Sequence, residues 1–164
     1  MKLYLVRHAQ PESGSDPNLS SEGVAQAEKL GAMFKRLIPL ANTSCLTSDQ
    51  QRAKRTGSII FGSLRDVRGL PAQWRIREFP RSTSDVEPAQ LLAHLRLIAS
   101  EENPKNMIAV WHHPSIGAAL NLLIGSSALE WPDIFGATAH VTCPASLEEG
   151  SGKLRWFILP ELLP

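Results

Sequence analysis

The sequence predicts an α/β fold, in which helices cover both faces of a mainly parallel central sheet as a three-layer αβα sandwich. Short apolar runs alternate with segments whose apolar residues recur every three or four positions, in the order βαβα(α)βα and then ββ. A chain of 164 residues is the size of one domain, and 43% of its residues are hydrophobic. We therefore expect residues 1–164 to form a single domain that needs no disulfide or structural metal to fold.

Five short runs predict the strands of the sheet. They are residues 3–6, 44–47, 107–111, 137–143 and 154–159. The runs at 3–6 and 107–111 are continuously apolar, as strands buried on both faces are, whereas the run at 44–47 is weak. The last two runs flank the turn residues at 149–152.

Four segments predict helices. They are residues 20–38, a segment that opens at 48–51 and runs to about 61, residues 88–98 and residues 114–123. Pro39 is expected to end the first helix, Asp85 or Glu87 to cap the third, and Pro114 to be the first helical residue of the fourth. Residues 62–83 contain several glycines and prolines and are expected to be irregular.

The composition argues against some classes of partner. Lys and Arg number 17 and Asp and Glu 16, so the net charge of +1 gives no general support for binding nucleic acid or an acidic membrane.

The apolar stretch before Arg7 is shorter than a secretory or membrane-spanning segment requires. Cys45 and Cys143 match neither a disulfide framework nor a metal-binding pair, and we expect two core thiols in a cytoplasmic protein.

Polar side chains follow three of the predicted strands where each strand ends. Ligands of open parallel sheets bind outside the carboxyl ends of the strands, so we expect these side chains to converge on one crevice. One of them lies a turn into the following helix, near a helix N-terminus that itself attracts anions. The candidate catalytic and substrate-binding residues of this crevice are Arg7, His8, Ser48, Arg52, His112 and His113.

These residue types suit the capture of a phosphoryl group. Two arginines offer rigid pairs of N–H donors to phosphoryl oxygens. A neutral imidazole is a competent nucleophile near pH 7, and a second histidine can donate hydrogen bonds as charge shifts. Because cationic side chains can neutralise the phosphate, no metal and no cofactor is expected.

Four motifs, in this order, resemble those of the histidine phosphatase superfamily, also called the phosphoglycerate mutase-like family. They are LVRHA at 5–9, LSxxGxxQAxxLG at 19–31, TSDQQRAxxT at 47–56 and VWHHPSIG at 110–117. The resemblance implies a phosphoglycerate mutase-like fold. It also implies that His8 is the nucleophile that becomes phosphohistidine, with Arg7, Arg52 and His112 completing the phosphate pocket.

Within the superfamily, the chain most resembles the SixA-like protein-histidine phosphatases. His112-x-Pro114-x-x-Gly117 is similar to their motif, and only 59 residues separate Arg52 from His112, too few for the large insertions of the mutases. The resemblance implies a metal-free phosphatase acting on phosphohistidine in a protein or on a small phosphorylated molecule. The alternatives are a phosphoglycerate mutase-type phosphotransferase and a non-enzymatic phosphate-binding module.

Two features depart from the family pattern without removing a catalytic group. Ala9 replaces the commoner glycine, and Asp49 replaces a common proline. The proton donor is less clear from the sequence, because the segment around Glu78 lacks the rest of the family's acidic motif. Glu78 is the natural candidate, and Asp16 and Asp49 are the alternatives.

Positive charge is concentrated in one segment of the chain. Residues 52–81 contain eight basic and two acidic residues, although the whole chain is nearly neutral. This segment begins at the second arginine motif, so it fits a pocket and rim that attract phosphorylated substrates.

Overall fold

The structure, a computed structural model, describes residues 1–38, 42–65, 76–79 and 86–164. Its strands are β1 (Lys2–Arg7), β2 (Thr43–Ser48), β3 (Ile76–Phe79), β4 (Asn106–Trp111), β5 (Thr138–Thr142) and β6 (Lys153–Ile158). Its α-helices are α1 (Ser21–Leu37), α2 (Gln51–Arg65), α3 (Pro88–Glu102) and α4 (Ser115–Ile124), and a 3-10 helix follows at Pro160–Leu162. None of the described helices is long and apolar enough to cross a membrane.

The strands form one sheet in the order β3-β2-β4-β1-β5-β6. The four strands from β3 to β1 are parallel, whereas β5 pairs antiparallel with β1 and β6 antiparallel with β5. In this register Arg7 lies opposite Trp111 at the carboxyl ends of β1 and β4. The predicted mainly parallel sheet is confirmed.

The sheet separates two apolar cores, because successive side chains of a strand face opposite sides. In β1, Leu3 and Leu5 pack into the core beneath α3 and α4, while Tyr4 and Val6 pack into the core beneath α1 and α2. The three-layer arrangement predicted from the sequence is therefore confirmed. Both cysteines are buried and unpaired, as expected.

Helix α1 is fixed to the loop that precedes it at two points. The Ser20 hydroxyl accepts the Gly23 N–H at 3.1 Å and donates to the Gln10 carbonyl at 3.2 Å, which caps the helix and ties it to the loop. A Cβ at residue 23 would lie 2.0 Å from the Gln10 carbonyl oxygen, so only glycine allows this approach. The helix ends at Leu37, and Pro39 lies outside the described residues.

The prediction that residues 62–83 are irregular is wrong in two places. Helix α2 continues to Arg65, and residues 76–79 form the edge strand β3 beside β2. The Arg77 guanidinium holds this strand through ion pairs with Glu101 and Glu102 of α3, at 2.8 and 3.0 Å. A four-residue edge strand with charged side chains lacks the apolar run that identified the inner strands.

The starts of α3 and α4 also differ from the sequence prediction in detail. Glu87 precedes α3 without a side-chain capping hydrogen bond, and Asp85 lies outside the described residues. Pro114, predicted to be the first helical residue of α4, is instead its N-cap residue, one position before the helix begins at Ser115. Neither difference changes the prediction that β4 ends at Trp111.

Candidate active site

The carboxyl end of β1 delivers two buried polar side chains between its neighbouring strands. The His8 backbone N–H donates to the Trp111 carbonyl of β4, and the Arg7 N–H donates to the Ala137 carbonyl that leads into β5, both at 2.9 Å. Arg7 is 8% and His8 5% exposed. The polar pair is therefore held below the surface by backbone hydrogen bonds on both sides.

The hydrogen bonds of His8 define which of its ring nitrogens can react. Nδ1 lies 2.8 Å from the Ala9 carbonyl oxygen, which can only accept, so Nδ1 carries the proton. Nε2 accepts the Nε–H of Arg52 at 3.2 Å. The lone pair available for nucleophilic attack is consequently on Nε2.

Burial keeps the His8 ring neutral. Burial, opposed by the hydrogen bond to the Ala9 carbonyl and assisted by the positive charges of Arg52 and Arg7, lowers the pKa of His8 to about 4. An imidazole with this pKa is almost entirely uncharged at pH 7. His8 therefore has the protonation state that a nucleophile needs.

Arg52 reaches His8 from the first turn of α2, and a threonine one turn later fixes the relative position of the two segments. The Thr56 hydroxyl accepts the Ala9 N–H at 3.0 Å and donates to the Arg52 carbonyl at 2.7 Å. Burial lowers the pKa of Arg52, which nevertheless remains protonated, and the nearby charge of Asp16 opposes that change. These two hydrogen bonds tie the chain after β1 to the first turn of α2.

His112 follows β4 and lies beside His8. The two ring centroids are 4.9 Å apart, and His112 is 2% exposed. Its Nε2 is 2.6 Å from the Ser48 hydroxyl at the end of β2. Burial, followed by the charges of His8, Arg52 and Arg7, lowers the pKa of His112 to about 3.

Ser48 influences which nitrogen of His112 carries the proton. The Ser48 hydroxyl accepts the Gln50 N–H at 3.4 Å, which leaves its own proton free to donate to Nε2 of His112. In that arrangement Nδ1 of His112 bears the hydrogen. This nitrogen is buried and has no hydrogen-bond partner in the described part of the chain.

Arg7 is fixed by two residues that the sequence analysis missed. Its Nη1 lies 2.5 Å from Oδ1 of Asp133, and its guanidinium carbon lies 4.3 Å from the centre of the Phe135 ring. The Phe135 ring is also 5.5 Å from that of His8. The available signal was topological: the residues before an antiparallel strand beside β1 must reach the carboxyl end of β1.

Two buried nitrogens of the site are unsatisfied, and both are donors when the Ser48 hydroxyl donates to Nε2 of His112. Arg7 Nε and His112 Nδ1 are both buried and without a hydrogen-bond partner among the described residues. Buried N–H groups are nearly always paired, so a crevice that keeps two such donors beside His8 is built to receive an acceptor-rich anion. A phosphoryl group, with three peripheral oxygens, fits this donor set.

The structure brings five of the predicted residues together and places others outside the group. Arg7, His8, Ser48, Arg52 and His112 meet at the carboxyl ends of β1, β2 and β4, whereas His113 is exposed on the turn before α4.

The three acidic candidates for proton donor gather around Lys54. Its Nζ is 2.9 Å from Oε2 of Glu78, and the hydrogen bond and charge of Glu78, followed by the charges of Asp49 and Asp16, raise the pKa of Lys54. Asp16 also accepts the Gln51 N–H at 2.9 Å, at the start of α2. Glu78 and Asp16 are thus each engaged by a donor of α2.

The family comparison agrees with this geometry. Residues 3–78 match the model of the histidine phosphatase superfamily, branch 1. The predicted resemblance to the histidine phosphatase superfamily is confirmed. Residues of three of the four motifs, at 5–9, 47–56 and 110–117, meet at one crevice, as the resemblance to histidine phosphatases implies.

Solved structures of several phosphatases share the fold, and the predicted phosphoglycerate mutase-like architecture is confirmed. The protein histidine phosphatase SixA complexed with tungstate is 20% identical, with a TM-score of 0.78 over 98% of this chain and 97% of that chain. A protein from Agrobacterium tumefaciens assigned as a SixA phosphohistidine phosphatase is 20% identical, with a TM-score of 0.72 over 97% of each chain. A mycobacterial glucosyl-3-phosphoglycerate phosphatase is 15% identical, with a TM-score of 0.69 over 94% of this chain and 96% of that one. No curated protein sequence matches the chain.

Proposed function

We propose that this protein is a histidine phosphatase that hydrolyses phosphohistidine in a protein substrate, through a phosphohistidine intermediate on its own His8 and without a metal. The observation that carries the proposal is the environment of His8. Its neutral Nε2 faces Arg52 and is flanked by the unsatisfied donors Arg7 Nε and His112 Nδ1. The site therefore combines a nucleophile with donors for the oxygens of the group it attacks.

The reaction has two in-line displacements. In the first, the Nε2 lone pair of His8 forms a bond to phosphorus while the bond from phosphorus to the substrate nitrogen breaks. In the second, water attacks the same phosphorus, the bond to Nε2 breaks, and inorganic phosphate leaves with His8 restored. Arg7, Arg52 and His112 stabilise the negative charge that spreads over the oxygens in both steps.

The leaving group is the reason for proposing a phosphoramidate substrate, with a P–N bond, in place of the phosphate ester of an alcohol. An alcohol must receive a proton as it departs, and two carboxylates that could supply it, Glu78 and Asp16, are engaged by Lys54 and the Gln51 N–H. The nitrogen of a phosphoramidate can already carry its proton, so it depends less on such a donor.

The comparisons support the same substrate class. SixA, whose structure holds tungstate, is a protein histidine phosphatase, and tungstate is a tetrahedral oxyanion like phosphate. The alignment covers nearly all of both chains, so neither has a large segment that the other lacks.

The nucleophile is tested with His8→Ala, and His94→Ala on α3 is the matched control. We expect His8→Ala to release no phosphate from a phosphohistidine protein or from p-nitrophenyl phosphate, while His94→Ala retains activity. Wild-type protein given a substrate with a labelled phosphoryl group should form a base-stable, acid-labile phosphoenzyme that His8→Ala lacks. Undiminished turnover by His8→Ala would sink the assignment.

A substrate panel tests the finer claims. We expect kcat/KM to be higher for a phosphohistidine protein than for sugar phosphates, nucleotides or phosphoserine, and EDTA to leave the rate unchanged. Transfer of the phosphoryl group to an acceptor other than water would favour the phosphotransferase. Phosphate binding without any phosphoenzyme would favour a binding module. Strong inhibition by EDTA would contradict the metal-free mechanism.

A further inference from the structure

The loop between α4 and β5 enters the active site beside β1. The Gly136 N–H donates to the His8 carbonyl at 3.1 Å. This bond extends the antiparallel pairing of β1 and β5 to a residue that precedes the first residue of β5. Trp131 anchors the other end of the segment, because its ring packs edge-on against Phe157 at 4.8 Å and is largely buried. Asp133 is held between these two fixed points, at 2.5 Å from Arg7.

The nitrogen that Asp133 contacts decides how Arg7 presents its donors. A guanidinium has five N–H groups, and Nη1 lies on the same side as Cδ, away from the parallel pair formed by Nε–H and one Nη2–H. Asp133 takes its hydrogen bond from Nη1, and the Nε of Arg7 is buried without a partner in the described chain. Of the two guanidinium edges that can bind two oxygens at once, Asp133 takes a donor of the Nη1–Nη2 edge and leaves the Nε–Nη2 edge open.

We propose that Asp133 is a positioning residue that orients Arg7, so that the Nε–Nη2 edge of the guanidinium faces the phosphoryl group. The inference rests on the proposed function, since it assigns Arg7 to the phosphoryl oxygens. Phe135 limits one face of the guanidinium by stacking, and the Asp133 carboxylate fixes its rotation in the plane. In this assignment Asp133 acts through Arg7 and not on the reacting atoms.

The exposure of the two partners makes the idea testable without damaging the fold. The side chain of Asp133 is 81% exposed, whereas that of Arg7 is only 10% exposed. Replacing Asp133 removes little packing, so its effect should come through Arg7 alone. Glu130 is an exposed acid of the same loop, and Glu130→Gln is a matched control for loss of negative charge.

The first experiment compares three variants with p-nitrophenyl phosphate, whose leaving group needs no proton, and measures inorganic phosphate binding by calorimetry. Asp133→Ala should lower kcat/KM about tenfold and weaken phosphate binding, because Arg7 loses its orientation. Asp133→Asn keeps an oxygen for Nη1 and should lower kcat/KM by only about threefold. Glu130→Gln should stay within about twofold of wild type.

The second experiment is a double-mutant cycle. A residue that acts only through Arg7 cannot matter once Arg7 is gone, so Arg7→Ala/Asp133→Ala should be no slower than Arg7→Ala. Additive losses in the cycle would overturn the proposal, and so would a loss confined to substrates with poor leaving groups, which would make Asp133 a proton donor. Tighter phosphate binding by Asp133→Ala at unchanged kcat would also overturn it, by making the carboxylate a competitor of phosphate.

These outcomes are separable from failure of the proposed function. If His8→Ala kept full turnover, the phosphohistidine mechanism would fall, yet the binding of inorganic phosphate by the Asp133 variants would still report on the orientation of Arg7. Equal phosphate affinity in wild type, Asp133→Ala and Asp133→Asn would refute the positioning role whatever the mechanism.

Discussion

At the scale of single residues, the position of His8 matters as much as its identity. An exposed histidine would be partly protonated near neutral pH and correspondingly less nucleophilic. Here the ring is buried at the end of β1, its proton is held on Nδ1 by the Ala9 carbonyl, and two guanidinium groups further disfavour a charged ring. Burial disfavours the charged form of the imidazole, so it keeps His8 in the neutral form that can act as a nucleophile.

The titration of His8 is the first prediction at this scale. Its folded pKa of about 4 lies below the ordinary value of 6.5, so His8 should stay neutral as the pH falls through 6 and 5. Arg52→Gln removes a positive charge and should raise the pKa toward 6.5. Imidazole chemical shifts measured by NMR across pH 3 to 8, with His8→Ala to assign the signal, would check both. A wild-type midpoint near 6.5 would contradict the buried, neutral ring.

Ser48 gives the second prediction. Ser48→Ala leaves Nε2 of His112 without its hydroxyl partner, and the imidazole proton is no longer directed to Nδ1. Loss of one partner of a buried hydrogen bond costs about 1–3 kcal/mol, so kcat/KM should fall roughly tenfold. Steady-state kinetics with p-nitrophenyl phosphate would measure it, with the exposed Ser58→Ala of α2 as control. Equal rates for the two variants would argue against a role for the Ser48 hydroxyl.

At the scale of elements, the first loop and α1 depend on one close contact. Gly23→Ala would place a methyl group against the Gln10 carbonyl and should destabilise the fold by about 1–3 kcal/mol. Gly62→Ala in α2 is the matched control, because no atom lies within 4 Å of its new Cβ, and it should stabilise by roughly 0.5–1 kcal/mol. Thermal unfolding of both variants would check the opposite signs. A stable Gly23→Ala protein would show that the loop can move away.

The elements also show what the sequence can and cannot predict. The inner strands β1 and β4 were predictable because burial on both faces demands a continuous apolar run, and α1 because its buried face recurs every three or four residues. The meeting of Arg7, His8 and His112 followed from the rule for strand ends. Local sequence patterns were sufficient to predict an element wherever burial determines its residue types.

The remainder depended on long-range placement. β3 is held at the sheet edge by the ion pairs of Arg77 with α3, which no local apolar pattern records. Asp133 joins the site only because β5 pairs antiparallel with β1 and so starts at the end where β1 stops. A partner 126 residues away in sequence cannot be identified before the neighbours of β1 are known.

At the scale of the whole molecule, the sheet is shared by both apolar cores. Alternate residues of β1 contribute to each, so neither core can lose its packing while the other keeps it. We expect one cooperative unfolding transition in urea, with the same midpoint by far-UV and near-UV circular dichroism. Two separated midpoints would contradict the single-domain prediction.

In the folded molecule, only part of the positive charge of residues 52–81 is directed to the candidate site. Of the cations in the basic segment, Lys54 is paired with Glu78 and Arg77 with Glu101 and Glu102, while Arg52 reaches into the site. Among the described residues, Arg7 and Arg52 are the cations whose charges act on His8.

The strand order also has a consequence for synthesis of the protein. β1 and β2 are made first, but β4 lies between them, so a ribosome must complete about two thirds of the chain before His8 and Arg52 can be brought together by the finished sheet. The partners of Arg7 are made later still, because Asp133 and Phe135 lie in the loop that precedes β5. A nascent chain holding only the first two motifs would carry the nucleophile and one guanidinium partner without the frame that aligns them. Phosphatase activity should therefore emerge late in translation, in a single step.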